Sequence, residues 1–140
     1  MAEAVSTPKR EFARDIQALA QVFDFLDESF RNSSIDDRSR LILQLAVEEL
    51  FTNMVKYNSQ SPSQIQVRIV AADDRIEVQL VDPDSDPFDP LQHPPVDTTT
   101  SIEKRRRGGL GIHLVRTMAD NVDYHYQGRE MTISVTKRLE

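Results

Sequence analysis

Residues 37–57, DRSRLILQLAVEELFTNMVKY, form the longest stretch in which apolar residues recur at helical spacing, and this segment predicts a long amphipathic helix. Two strictly alternating segments follow it. In QIQVRIVA, Ile65, Val67 and Ile69 face one way while Gln64, Gln66 and Arg68 face the other. In RIEVQLVD, Ile76, Val78 and Leu80 oppose Glu77 and Gln79, and Asp73-Asp74 between the two predicts an antiparallel hairpin with one face covered. A helix with one apolar stripe and strands with one apolar face each have to bury them, and burying them on each other gives a layered α/β arrangement.

The remaining segments extend that pattern. Ile16, Leu19, Ala20, Phe23, Leu26 and Phe30 predict a first helix over 15–31, capped by Asp15. NSSIDD reads as a loop and the start of the second helix, and NSQSPS ends that helix. Residues 83–107 are proline-rich without periodicity, so a functional lid is expected there. A short helix over about 110–119 carries Leu110, Leu114, Val115 and Met118 on its apolar side, and two alternating strands flank Gly128. The order helix, helix, hairpin, lid, helix, hairpin predicts an α+β fold. It is a two-layer α/β sandwich with helices on one face of a mostly antiparallel mixed sheet, formed by a single domain over 1–140.

Composition narrows the function classes. A net charge of −6 argues against general binding to nucleic acid or to an anionic membrane, and the one basic block is Lys104–Arg107. No cysteine is present, which excludes disulfides and thiolate metal sites. No apolar stretch approaches the roughly 18 residues needed to span a bilayer, and the N-terminus lacks a signal-peptide core, so a cytoplasmic location is expected.

Three groups of residues could carry chemistry. The chain has four glycines, and Gly108, Gly109 and Gly111 fall within four positions of RRRGGLGIHLVR. A glycine turn running into a helix start brings backbone N–H groups close to a phosphate, and Arg105, Arg106 and Arg107 could add charge-assisted contacts. The plainer reading is a hinge beside solvated arginines. On the long helix, Glu49 and Asn53 lie one turn apart on one face. They could share Mg²⁺, Glu49 could accept a proton from a hydroxyl, or the two could be a surface pair. Third, the strand ending at Val81 runs into DPDSDPFDP, where Asp82 or Asp84 could accept a hydrogen bond from a base amino group. The bland alternative is a proline-stiffened acidic turn; the glycine and closing glutamate of a calcium loop are missing. His93, His113 and His125 lie on different segments without metal-type spacing.

The order of these blocks resembles the anti-sigma-factor serine/threonine kinases of the histidine kinase-like and gyrase-like ATPase superfamily. The resemblance covers nearly the whole chain, through EELFTNMVKY, VDPDSDPFDP and RRRGGLGIHLVRTMADNVDY. It implies the histidine kinase-like ATPase fold, with ATP and Mg²⁺ as cofactors. Glu49 is then the general base toward a partner's serine, and Asn53 the Mg²⁺ ligand. Lys56 matches a basic position near the phosphates. Asp82 matches the adenine-recognising aspartate, with Asp84 as the alternative register. Gly108, Gly109, Leu110 and Gly111 match the hinge that covers the phosphates, and Arg107 is the candidate γ-phosphate contact. The family's Asp-x-Gly-x-Gly is altered here: Phe88-Asp89-Pro90 is kept, but no glycine lies between Asp82 and Phe88.

The resemblance implies an ATP- and Mg²⁺-dependent kinase that controls transcription by partner switching. Its partners would be a small anti-anti-sigma protein and a sigma factor or similar client, and a homodimer is possible. Two other classes remain: a non-catalytic module that sequesters a partner with little or no nucleotide, and a free-standing ATPase.

Overall fold

The computed structural model describes residues 7–31, 33–58, 60–86 and 110–139. Among the described residues strand β1 (Lys9–Phe12) comes first, followed by a 3₁₀ turn (Ile16–Ala18), α1 (Leu19–Phe30) and α2 (Asp37–Tyr57). Then come β2 (Ile65–Ala71), β3 (Arg75–Asp82), α3 (Leu110–Met118), β4 (Asn121–Gln127) and β5 (Glu130–Arg138). The strands form one sheet in the order β1-β2-β3-β5-β4, and every described pairing is antiparallel.

Helix α2 begins where the sequence placed it. Asp36 caps it, accepting 3.0 Å from the Ser39 amide and 2.7 Å from the Ser39 hydroxyl. Leu43, Ala46, Val47, Leu50, Phe51 and Met54 are buried along its length, because α2 is flanked by α1 and α3 and seated on β3 and β5. The alternating strands meet it from below. Ile69 pairs across to Val78, and Val78 to Val135, so buried β-branched residues line up across three strands. The β4–β5 turn is set by Gly128 and Arg129, whose φ values of 57° and 70° both lie in the left-handed region of a tight hairpin turn.

Strand β1 is a finding beyond the sequence reading. It adds an edge to β2, with Phe12 its only buried residue, edge-on to Phe25 at 5.8 Å between ring centroids. In α3 the core contact is made by Val115, while Leu114, expected on the apolar side, is 51% exposed.

Lys137 occupies an inward-facing position of β5, and its Nζ donates 3.2 Å to Asp120 Oδ2, which also accepts from the Arg138 amide at 2.6 Å. The Arg138 N–H and then the Lys137 ammonium hold the Asp120 carboxyl below its usual 3.8. A carboxyl depressed in this way stabilises the fold above its ordinary pKa, and the effect disappears as pH falls through the lower folded value. Asp120→Asn is therefore expected to melt below the parent at neutral pH. The gap should narrow below about pH 4, as thermal melts across that range would show.

Candidate functional site

The middle of α2 carries the first group. Asn53 is buried at 1% exposure, so it is no surface residue, and its side chain hydrogen-bonds the half-buried Glu49 one turn earlier. Burial, and then the neighbouring Glu48 carboxylate, push the Glu49 pKa above its usual value; Lys56 and Asn53 oppose this. A carboxylate raised in this way is a better proton acceptor near neutral pH than an exposed one. Lys56 is exposed one turn beyond Asn53, its Nζ 5.6 Å from the centroid of the Tyr57 ring. Between α2 and α3 a groove of about 220 Å³ is lined by Ile42, Leu45, Glu48, Glu49, Leu114, Val115 and Met118, so Glu49 opens onto it.

Helix α3 begins at Leu110, with Gly111 in its first turn. The opening N–H groups of a helix have no partner within it and favour anions. Arg107, Gly108, Gly109 and most of the expected lid over 83–107 lie outside the described residues.

The end of β3 is built differently. Asp82 is fully buried and held by Arg14, whose side chain is 3% exposed. The guanidinium donates from Nη2 to Oδ1 at 2.6 Å and from Nη1 to Oδ2 at 2.9 Å, while the Asp84 amide donates to Oδ1 at 3.1 Å. Arg14 also donates to the Ser63 carbonyl at 3.1 Å and the Met54 carbonyl at 3.4 Å. One side chain thus ties the segment before α1 to the last turn of α2 and to both ends of the β2–β3 hairpin.

The turn after Asp82 is clasped by side chains from two other elements. Asp84 accepts from Arg129 Nε at 2.7 Å and from the Ser61 hydroxyl at 2.9 Å, and Arg129 Nη1 also donates to Asp86 at 3.2 Å. These contacts, the Arg129 hydrogen bond first, lower the Asp84 pKa and raise that of Arg129. Asn58, buried just past α2, donates to the Ser85 hydroxyl at 3.1 Å and accepts from the Asp86 amide at 2.9 Å. Tyr126 donates to the Ser85 carbonyl at 2.9 Å.

Glu49 and Asn53 are thus brought together, whereas Asp82 and Asp84 sit in two separate ion pairs. Arg14, Asn58, Ser61 and Arg129 were not singled out from the sequence. Only Arg129 left a signal, as a charged residue beside the hairpin glycine.

Among the described residues, no three His, Cys, Asp or Glu side chains cluster as metal ligands. The carboxamide of Asn53 is a hard oxygen donor of the kind Mg²⁺ takes singly, with phosphate oxygens and water completing its shell. The donor chemistry of Asn53, buried and bonded to Glu49, suits the Mg²⁺ of a nucleotide. At the end expected to meet a base, the Asp82 and Asp84 carboxylates are engaged by Arg14 and Arg129.

The chain belongs to the histidine kinase-like ATPase domain family, whose sequence profile matches residues 12–137. It is 33% identical over 102 residues to serine-protein kinase RsbW of Bacillus velezensis, a match covering 69% of this chain and 63% of that protein. With serine-protein kinase RsbW of Listeria monocytogenes it is 32% identical over 103 residues, covering 69% and 64%. Each match thus spans less than two thirds of the relative's length. Two solved structures share the fold. One, of the RsbU and RsbW domains of Rv1364c from Mycobacterium tuberculosis, gives a TM-score of 0.69 at 14% identity, covering 96% of this chain and 32% of that one. The other, the SiaB-SiaC complex from Pseudomonas aeruginosa, gives 0.60 at 12% identity, covering 94% and 88%. No described helix is long and apolar enough to cross a membrane.

Proposed function

We propose that this chain is an ATP- and Mg²⁺-dependent serine/threonine protein kinase of the anti-sigma type. It would act in the cytoplasm and phosphorylate a small anti-anti-sigma partner. The observation that carries the reading is the Glu49–Asn53 pair, a half-buried carboxylate of raised pKa bonded to a buried carboxamide beside an open groove. The similarity to serine-protein kinases RsbW supports it.

In this reading Glu49 takes the proton of the partner's hydroxyl as that oxygen bonds the γ-phosphorus, and ADP is the leaving group. Asn53 would hold Mg²⁺, and Lys56 and Arg107 would supply positive charge to the phosphates. The backbone amides of Gly108, Gly109, Leu110 and Gly111 would supply the N–H donors for the phosphate oxygens. Bound nucleotide and metal supply the phosphoryl group and neutralise its charge. The new phosphate on the partner adds about −1.5 to −2 charges, enough to loosen an interface with an acidic surface and free the chain for a sigma factor or similar client.

The engaged carboxylates at Asp82 and Asp84 favour a second reading, a partner-sequestering module without catalysis. Calorimetric titration with Mg²⁺ and ATP separates the two. The kinase reading expects saturable binding and transfer of phosphate to an anti-anti-sigma partner. No heat at millimolar nucleotide leaves only the sequestering module.

A further inference from the structure

We infer that this chain holds a nucleotide by its phosphates and does not read its base, so that adenine and guanine nucleotides are accepted alike. The inference rests on the nucleotide-binding reading above and changes what that site selects.

Reading adenine requires an acceptor that can be reached by its exocyclic amino group. An ionised carboxylate has about four lone-pair sites. On Asp82, two on Oδ1 are taken by Arg14 and the Asp84 amide, and one on Oδ2 by Arg14. The remaining site lies on a carboxylate with 0% exposure, sealed by an arginine that is itself 3% exposed.

The alternative aspartate is also engaged. Asp84 has one oxygen on Arg129 and the other on Ser61. Asn58 and Ser85 are also buried here: Asn58 uses its amide nitrogen on the Ser85 hydroxyl and its oxygen on the Asp86 amide, and Ser85 donates to the Asp86 carbonyl. Among the described residues, Asp82, Asn58 and both oxygens of the 33%-exposed Asp84 are thus turned to the protein's own atoms. Asp84 and Asp86 stand at the two positions where the resembling kinases carry glycine. Their side chains recruit Arg129 and close the turn on itself.

The described part of the expected phosphate end is arranged differently. Glu49 lines the groove, with Asn53 bonded to it one turn on, and the opening amides of α3, from Leu110, have no partner within the helix. Affinity then comes from charge and metal, which are common to every nucleoside triphosphate.

The test uses the whole chain with Mg²⁺ and compares the dissociation constants of ATP, GTP and inosine triphosphate by calorimetry. A site that reads the amino group through a buried acceptor rejects a 6-carbonyl base by orders of magnitude, because a lone pair then faces a lone pair. The expected result is three constants within about threefold of one another, less than 1 kcal/mol. A preference of tenfold or more for any one of them overturns the inference and leaves the kinase reading standing. Absence of binding by all three at millimolar concentration removes the nucleotide reading and this inference with it.

Discussion

Arg14→Met is expected to destabilise the protein by about 3–5 kcal/mol, because it leaves the Asp82 carboxylate buried and without its cation. For a chain of this length that corresponds to a fall in melting temperature on the order of 10 °C, measurable by calorimetry or urea titration. The same change removes the donors to the Ser63 and Met54 carbonyls, so the last turn of α2 loses its tie to the β2–β3 hairpin. The control is the double variant Arg14→Met/Asp82→Leu. Apolar replacement of both members of a buried pair is often neutral or stabilising, so the double variant should recover most of the loss. If the single variant melts within a degree or two of the parent, the pair contributes little.

The second large effect concerns Glu49. Glu49→Ala is expected to lower phosphotransfer to the cognate partner by about 10²–10⁴-fold, the usual contribution of a positioned general base. Nucleotide affinity measured in parallel separates proton acceptance from ligand holding: a loss confined to binding would reassign the residue. Unchanged transfer would remove Glu49 from the chemistry altogether. Because burial and Glu48 raise its pKa, the acidic limb of the pH–rate profile should lie above 4.5, the usual glutamate value. Glu48→Gln removes the like charge and should move that limb down.

The elements were legible wherever side-chain periodicity is set by one partner face. The helix over 37–57 and both hairpins fall where alternation placed them, since a strand half-covered by helices has to alternate. Strand β1 was not legible: four residues, KREF, with one buried, carry no period, and the strand exists because the open edge of β2 takes it up. Asn53 was ambiguous for a related reason. A buried polar residue on a helix reads like one facing water until the elements that cover it are placed.

The arginines are the clearest gap. Arg14 precedes a helix cap by one position, a place where a solvated charge is ordinary, and its partner Asp82 is 68 residues away. Nothing local to either residue announces the other. The family motif made Asp82 and Asp84 candidates, but only tertiary structure shows what their oxygens touch.

Position 129 serves two ends that pull apart. The backbone there has a φ of 70°, a conformation that glycine or asparagine adopts at lower cost than arginine. An engineer polishing that hairpin for local fitness would install glycine and see a relaxed turn. The same edit would strip the counter-charge from Asp84 and Asp86, 45 and 43 residues upstream, and set two carboxylates against each other. Consensus redesign of the loop thus carries a hidden liability at a distant acidic bend, and the arginine's awkward backbone is the mark of that remote duty.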